Sequence, residues 1–173
     1  TTVSGGLLVS DDNDTGVSNS DKHTQNTRPI FHGISEAGAT VVITVSNATH
    51  SYQHSTIVGD DGKWLVDFAL SEELTAMGVA DGTYKVSISS TDIAGNNAIQ
   101  TESLTVDNQT TVTGGLTDDA TNDTGVSHED QITHNNKPTF SGECEKGATV
   151  TVEVFAGYFA VGTPLYTLSG IVT

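Results

Sequence analysis

Residues 13–21 read NDTGVSNSD, and residues 122–130 read NDTGVSHED, 109 positions further along the chain. Both copies contain the same Asp-Thr-Gly-Val-Ser run and the same final aspartate. Two carboxylates, a hydroxyl and a glycine turn make an oxygen-rich loop, which suits a hard cation such as Ca2+ because that ion takes about six to eight oxygen ligands. The same residue types are ordinary turn formers, so a polar turn without metal is the alternative interpretation of either copy.

The loop belongs to a longer internal repeat. Residues 1–45 align without gaps on residues 110–154, and 24 of the 45 positions are identical. A repeat of 109 residues is far longer than the unit of a solenoid, so each copy is expected to form a domain of its own. The sequence therefore predicts a complete repeat at 1–109 and the N-terminal part of a second repeat at 110–173.

Alternation of apolar and polar residues predicts β-strands along the whole first repeat. The predicted strands lie at 3–9, 29–35, 39–45, 53–58, 64–68, 84–88 and 98–106. Seven short strands in about 100 residues, separated by turns rich in Asp and Gly, are typical of an immunoglobulin-like β-sandwich. We therefore predict an all-β fold of tandem sandwiches, with one short helical turn that begins after Ser71 and ends at Gly78.

The second copy reaches Thr173 before any counterpart of Trp64 or of the strand at 84–88. A sandwich that lacks those strands exposes an apolar face and open strand edges. We therefore expect the second copy to be a truncated piece, completed by missing chain or by a partner molecule.

The chain is strongly acidic, with 6 Lys and Arg against 22 Asp and Glu and a formal net charge of −16. Such a charge repels nucleic acid and anionic membranes, so neither is an expected partner. No apolar run is long enough for membrane insertion. The first residues lack the features of a signal peptide, so a targeting signal is expected elsewhere in a longer parent or has been removed. No serine stands in a catalytic motif, and an enzyme is not predicted.

The order of several motifs resembles a known family. These are DTGVS followed by an Asp and a Thr, then P-x-F-x-G, E-x-G-A-T-V, DG-x-W, DGTY, TDIAGN and a closing TVD. Together they resemble the bacterial Ig-like tandem repeats in the extender regions of giant, type I-secreted RTX adhesins. The resemblance covers 1–109 and the whole second copy. It implies Ca2+ at the domain junctions and a stiff rod, built from neighbouring repeats of one chain, that holds an adhesive tip away from the cell in adhesion and biofilm formation. It also implies a secreted protein at the bacterial surface.

The resemblance further implies a set of metal ligands. Carried over, it places Asp14, Asp21 and Asp107 at one pole of the first repeat, meeting Glu145 of the next, with Glu36 and Asp92 at the opposite pole. The full candidate set comprises Asp12, Asp14, Asp21, Glu36, Asp92, Asp107, Asp123, Asp130 and Glu145. Asp12 becomes Thr121 in the second copy, which is a departure from the pattern. In an Ig-like sandwich, the loop after the first strand and the end of the last strand share a pole, so Asp14 and Asp21 are expected to approach Asp107.

Two functions remain open at this stage. The leading hypothesis is a structural extender of a cell-surface adhesin, whose tip ligand the sequence does not identify. The alternative is an adhesive module that contacts sugar or protein directly, for which exposed aromatic anchors are the usual signature. The candidate aromatic residues are Tyr52, Tyr158, Phe159 and Tyr166. We predict Trp64 to be a core residue, and Cys144 to be a partly buried small side chain in preference to a reactive thiol.

Overall fold

The computed structural model describes residues 1–70, 78–156 and 160–172. It contains two compact units, Thr1–Gln109 and Thr110–Thr173. Their described residues form strands, turns and one short 3-10 turn at Phe68–Leu70, so the all-β prediction is confirmed. In the part of the chain that is described, no helix is long and apolar enough to cross a membrane.

Unit 1 is a sandwich of two sheets. Its strands are β1 (Val3–Leu7), β2 (His23–Thr24), β3 (Ile30–Ser35), β4 (Thr40–Ser46), β5 (Ser51–Ile57), β6 (Lys63–Asp67), β7 (Gly82–Thr91) and β8 (Asn97–Val106). One sheet has the order β1-β3-β6 and the other the order β2-β8-β7-β4-β5. All neighbouring strands are antiparallel except β2 and β8, which run parallel.

The alternating apolar residues that predicted the strands form the core between the two sheets. Val41, Ile43 and Val45 of β4 are fully buried, as are Val86 and Ile88 of β7. Their polar neighbours along each strand point outward, so the period of two in the sequence corresponds directly to the two faces of each strand.

Trp64 is the residue around which the smaller sheet is packed. It is 3% exposed, which confirms its prediction as a core residue. Its indole lies on the backbone of β1 and β3, because a Cβ added to Gly33 would fall 2.6 Å from Trp64 Cζ2 and 2.0 Å from the carbonyl oxygen of Ser4. Glycine at positions 5 and 33 is therefore required by the close approach of the ring and the two strands.

The strands differ from the predictions in several places, and β5 (Ser51–Ile57) and β7 (Gly82–Thr91) each begin two residues before the predicted strands at 53–58 and 84–88. β1 ends at Leu7, because the chain turns at Ser10, whose carbonyl accepts hydrogen bonds from the N–H groups of Asn13 and Asp14. Phe68 begins the 3-10 turn instead of continuing β6. The two-residue strand β2 was not predicted, since two residues carry no periodicity. Residues 71–77, which contain most of the predicted helical turn, lie outside the described residues.

Unit 2 repeats part of this architecture. Its strands are β9 (Val112–Leu116), β10 (Phe140–Cys144), β11 (Thr149–Val154) and β12 (Tyr166–Ile171), which pair as β9-β10 and β11-β12. The register Phe140↔Leu116 reproduces Phe31↔Leu7.

The structural repeat continues beyond the gap-free alignment. Val172 N–H donates to Ala148 O at 2.9 Å, as Val58 N–H donates to Ala39 O at 2.9 Å in unit 1. The equivalence of the two units therefore extends to Val172. A gap-free alignment of the two copies misses this equivalence, because the connection after β11 is longer than the connection after β4.

Candidate cation-binding loops

Asp14 is the central residue of the loop that follows β1. Its side chain is 2% exposed, although it is a carboxylate. Oδ2 accepts a hydrogen bond from the N–H of Lys22 at 3.0 Å, which closes the loop over eight residues. Oδ1 is buried and has no hydrogen-bond partner. A buried carboxylate oxygen without a partner is costly, so its surroundings call for a cation or an ordered water.

The second copy of the loop has the same geometry. Asp123 is 0% exposed, and its Oδ2 accepts a hydrogen bond from the N–H of Gln131 at 3.0 Å. Its Oδ1 is likewise buried without a partner. The feature thus occurs in both repeats, although the flanking residues differ at several positions.

Asn13 fixes the loop to the strands. Its Nδ2 donates to the carbonyl oxygens of Leu8 at 2.8 Å and Ile30 at 3.0 Å, and its Oδ1 accepts from the N–H of Ile30 at 2.7 Å. Asn122 makes the equivalent bonds to Thr117 and Thr139. Sequence reasoning missed this role, and the available signal was the identity of the asparagine in both copies.

Strand β2 joins the loop to the end of the last strand. The buried hydroxyl of Thr24 donates to the carbonyl oxygen of Asn13 at 2.7 Å. On its other side, the N–H of Asp107 donates to the carbonyl oxygen of Thr24 at 2.9 Å. Asp107 therefore lies at the same pole of unit 1 as the Asp14 loop, as the Ig-like topology predicts.

Three further candidate carboxylates of the two units make local hydrogen bonds. Asp21 Oδ1 accepts from the N–H of His23 at 3.1 Å, and Asp130 Oδ1 accepts from Ile132 N–H at 3.1 Å. Asp107 Oδ1 accepts from Gln109 N–H at 3.3 Å, and Asp12 is exposed. Among the described residues, no three His, Cys, Asp or Glu side chains are grouped so that they could hold a metal ion. A cation at Asp14 would therefore need hydroxyl or carbonyl oxygens among its ligands as well.

Glu36 and Asp92 lie at the other end of unit 1, where β3 ends and β7 ends. Glu36 Oε2 accepts a hydrogen bond from Thr1 Oγ1 at 2.8 Å. Asp92 accepts from the side chain of Asn96 and from its backbone N–H, both at 2.8 Å. The side-chain bond from Asn96 is the main reason that the pKa of Asp92 lies below its ordinary value.

Glu145, the predicted ligand in the second repeat, stands in the turn between β10 and β11. Its side chain is exposed, and its carbonyl oxygen accepts from the N–H of Ala148 at 3.1 Å. The turn matches the one at Glu36, where the N–H of Ala39 donates to the Glu36 carbonyl at 3.1 Å.

A partly buried ion pair between Lys22 and Glu102 lies beside the first loop. Glu102 of β8 accepts hydrogen bonds from the N–H of Leu7 at 2.9 Å and from Lys22 Nζ at 2.6 Å. In unit 2, Gln131 takes the position of Lys22, and its own Oε1 accepts from the N–H of Leu116 at 2.9 Å. The Gln131 side chain of unit 2 therefore accepts the backbone hydrogen bond that Glu102 accepts in unit 1.

The comparison with protein families agrees with the repeat architecture. A family model described as bacterial Ig-like domain matches residues 3–108 and again residues 110–167. No curated protein matches the chain. Among solved structures, a tetra-tandem repeat from the extending region of a large adhesion protein is similar, with a TM-score of 0.40 and 20% sequence identity. That similarity covers 99% of this chain, which spans 40% of the length of the solved one.

Proposed function

This chain belongs to the bacterial Ig-like domain family, and we propose that its repeats form a Ca2+-stiffened extender of a secreted bacterial cell-surface adhesin. In this proposal, neighbouring repeats of one chain add length and hold an adhesive tip away from the cell, in adhesion and biofilm formation. Tandem repetition supports a spacer, because the function of a spacer depends on its length. The single observation that carries the calcium part is the buried, unpartnered Oδ1 of Asp14, which recurs at Asp123.

The residues of the loop fit a hard cation. Asp14 and Asp21 supply carboxylates, and Asp107 is held at the same pole by its backbone bond to Thr24. In the second repeat, Asp123 and Asp130 have the matching positions. Carboxylate, hydroxyl and backbone carbonyl oxygens are the ligands that Ca2+ prefers, and mixed sets of this kind are common. A bound ion would neutralise the Asp14 carboxylate and reduce the repulsion among the acidic groups around it.

Stiffening is expected to depend on the calcium concentration. Extracellular Ca2+ modules bind with dissociation constants of about 10⁻⁴ to 10⁻³ M. Repeats would then be loaded outside the cell and empty where Ca2+ is scarce. Domains that are joined without a large apolar interface move relative to one another by default, so the ion would have a measurable mechanical effect.

The test is small-angle X-ray scattering on a protein with two complete copies of residues 1–109. We expect millimolar Ca2+ to increase the maximum dimension and reduce the flexibility relative to the same protein in chelator. Mg2+ at the same concentration controls for simple screening of charge. Scattering curves that coincide with and without Ca2+ would rule out the stiffening role, even if the metal were bound.

The alternative is an adhesive module that binds sugar or protein directly. Tyr166 on β12 supports it, because its side chain is 75% exposed. Tyr52 does not, since its hydroxyl accepts a hydrogen bond from Ala80 N–H at 3.3 Å and its ring packs against Tyr84. Tyr158 and Phe159 lie outside the described residues. Binding of the chain to a glycan array, abolished by Tyr166→Ala, would favour this alternative.

A further inference from the structure

The outer face of the larger sheet of unit 1 carries almost no charge. Strands β4, β5, β7 and β8 direct eighteen side chains to this face, and twelve of them are serine or threonine. The chain contains 22 Asp and Glu, yet none of them is among these eighteen, and Lys85 is the one charged residue of the set. We call this surface the hydroxyl face. Its members are Thr40, Val42, Thr44, Ser46, Ser51, Gln53, Ser55, Ile57, Thr83, Lys85, Ser87, Ser89, Thr91, Asn97, Ile99, Thr101, Ser103 and Thr105.

The pairing of the four strands arranges these side chains in rows across the sheet. Two neighbouring rows cross its middle, namely Gln53–Thr44–Ser87–Thr101 and Ser55–Val42–Ser89–Ile99. Neighbours within a row are about 4.8 Å apart and the rows are about 6.8 Å apart, because these are the strand spacing and the two-residue repeat of a strand. The face therefore presents hydrogen-bonding groups at regular intervals over about 14 Å in each row.

The hydroxyls in the middle of the face are free, whereas those at one end are bonded to a neighbour. At that end, Asn97 Nδ2 donates to Ser89 Oγ and to Thr91 Oγ1, each at 2.9 Å. Ser87 and Thr101 lie opposite each other in the middle, and their hydroxyls make no hydrogen bond to another described residue. These two hydroxyls are therefore available to a ligand.

The composition of the hydroxyl face excludes several classes of ligand. It offers no carboxylate to a metal ion. One lysine in a chain of net charge −16 does not attract nucleic acid or another polyanion. Protein interfaces are enriched in aromatic residues and depleted in serine, and no aromatic residue is among the eighteen. An uncharged ligand with many hydroxyls fits, because each Ser or Thr hydroxyl both donates and accepts hydrogen bonds.

Three aliphatic side chains stand among the hydroxyls. Ile99 is 64% exposed and Ile57 is 71% exposed, and Val42 lies between Ser55 and Ser89 in its row. A sugar ring has hydroxyls at its rim and C–H groups on its faces, so hydroxyl and aliphatic side chains in alternation match both parts. Contact with the C–H groups would also remove apolar surface of the isoleucines from water, which is favourable.

The corresponding strands of unit 2 carry hydroxyls as well. Thr151 of β11 lies opposite Ser169 of β12, with the two hydroxyl oxygens 2.8 Å apart. Thr151 occupies the position of Val42, so a hydroxyl is present in the second copy although the residue differs. Glu153, at the position of Thr44, is the charged exception. The hydroxyl-rich character of these strands thus recurs, and the set that lacks acidic residues is in unit 1.

We propose that the hydroxyl face binds an uncharged polysaccharide, whose chain lies across the strands along the two middle rows. Ser87 and Thr101 would hydrogen-bond to sugar hydroxyls, and Ile99 would contact the C–H groups of a ring. A single face without an aromatic anchor binds weakly, and tandem repeats strengthen the attachment when several faces engage one polymer. An extender built from such repeats would hold polysaccharide along its length. That consequence rests on the proposed function, whereas the binding itself does not.

Affinity electrophoresis of the full 173-residue chain tests the proposal. The native gels contain dextran, hydroxyethyl cellulose or mannan as the uncharged polymer, and hyaluronan as the charged control. Relative to an acidic reference protein, we expect the mobility of the chain to fall with polymer concentration in at least one uncharged gel and not in hyaluronan. The fall should be equal in Ca2+ and in chelator, because the Asp14 loop takes no part. A loss of Ca2+-dependent stiffening would therefore leave this result unchanged, and the two proposals can fail separately.

A pair of matched variants locates the binding. Thr101→Glu should raise the apparent Kd at least about threefold, because it removes a free hydroxyl and places a carboxylate beside Ser87. Ser4→Glu makes the same change of charge at an exposed residue of β1, in the smaller sheet, and should bind as the unaltered chain does. Tyr166→Ala should also bind normally, which separates this face from an aromatic anchor in unit 2.

NMR mapping on the unaltered chain locates the site even if Thr101→Glu fails to fold. The polymer that retards the chain most should shift the amide signals of Thr44, Ser87 and Thr101, and leave those of β3 and β6 in place.

Four results would overturn the proposal. The first is the absence of retardation in all three uncharged gels, and the second is equal retardation in hyaluronan. The third is equal affinity of a folded Thr101→Glu variant and the unaltered chain. The fourth is a dimer in sedimentation velocity that Thr101→Glu abolishes, because a second copy would then cover the face.

Discussion

The side-chain Nδ2 of Asn13 and the carbonyl oxygen of Ile30 lie 3.0 Å apart, and this bond joins the first loop to the start of β3. The Oδ1 of the same side chain accepts from the N–H of Ile30 at 2.7 Å. Asn13 is 2% exposed, so its side chain cannot exchange these bonds for water without opening the loop. The loop is therefore part of the sandwich and is not a loose connection.

Replacing Asn13 by alanine should destabilise unit 1 by about 2 kcal/mol, because the N–H of Ile30 and the carbonyl oxygen of Leu8 lose their hydrogen bonds to its buried side chain. The measurement is urea unfolding of the full chain. Asn19→Ala is the matched control, since Asn19 is exposed and its side chain donates only to Asp11 Oδ1 in the described hydrogen bonds. Equal losses of unfolding free energy in the two variants would show that the side-chain hydrogen bonds of Asn13 are not important for stability.

Ca2+ should stabilise the chain through Asp14. A ligand that binds only the folded state at about 100 times its dissociation constant adds about 2.7 kcal/mol. Asp14→Asn and Asp21→Asn should each reduce this gain, because each removes charge from the site. Thermal unfolding in Ca2+ and in chelator measures the effect.

The control for the calcium variants is Asp61→Asn. Asp67 is unsuitable as a control, because it is paired with Ile30 at the loop end of the sandwich. Asp61 is exposed and lies in the turn at the other end of β6. If all three variants respond to Ca2+ as the unaltered chain does, the loop is only a polar turn.

Comparison of the two repeats predicts that a substitution at Lys22 restores part of the stability lost when Glu102 is replaced. Glu102→Ala removes the acceptor of the Leu7 N–H and the partner of Lys22. Adding Lys22→Gln should restore about 1 kcal/mol, because Gln131 accepts from the equivalent N–H of Leu116 in unit 2. The backbone permits the change, since Lys22 and Gln131 have φ values of 63° and 61°.

The double variant with Lys22→Ala and Glu102→Ala serves as the reference for this rescue, and chemical unfolding is the measurement. The variant with Lys22→Gln and Glu102→Ala should be more stable than this reference. Equal stability would show that the hydrogen bond of Gln131 cannot be transferred to unit 1.

Gly33→Ala should be among the most damaging single changes in unit 1. The added Cβ would collide with the carbonyl oxygen of Ser4 and with the Trp64 ring, so β1 and the indole would both have to move. We expect a loss of about 3 kcal/mol or a failure to fold. Gly59→Ala is the control, because its Cβ would meet the flexible side chain of Asp61 at 3.1 Å. Similar melting temperatures for the two variants would contradict the close packing of Trp64 on Gly33.

Asp92 should contribute to the pH dependence of stability. Its pKa is lowered mainly by the side-chain bond from Asn96, so the folded state holds the ionised form more strongly than the unfolded state does. The contribution is present above the ordinary aspartate pKa and is lost as the pH falls through the lowered folded value. Asn96→Ala should raise the pKa of Asp92 in an NMR titration. An unchanged pKa would assign the shift to the backbone bonds and to the side chain of Thr1.

Much of the fold was predictable because its signals are local. Alternating residues such as Val41, Ile43 and Val45 predicted β4, since the side chains of a strand point to opposite faces at every second position. Identical motifs in two copies predicted the repeat boundary at Thr110, which coincides with the division between the two compact units. The acidic loop was found for the same reason, because its carboxylates and glycine lie next to one another in the chain.

The sequence by itself determined the all-β class, the repeat and the position of the oxygen-rich loops, because these depend on residues close together along the chain. Tertiary structure alone decided which atoms of those loops lack partners. The N–H of Lys22 donates to Asp14 Oδ2, and the strand β2 that follows Lys22 is held by its pairing with β8, which is distant in the sequence. Tertiary structure also decided that Gly33 must be glycine, because that depends on whether a tryptophan from a strand distant in the sequence lies on the backbone.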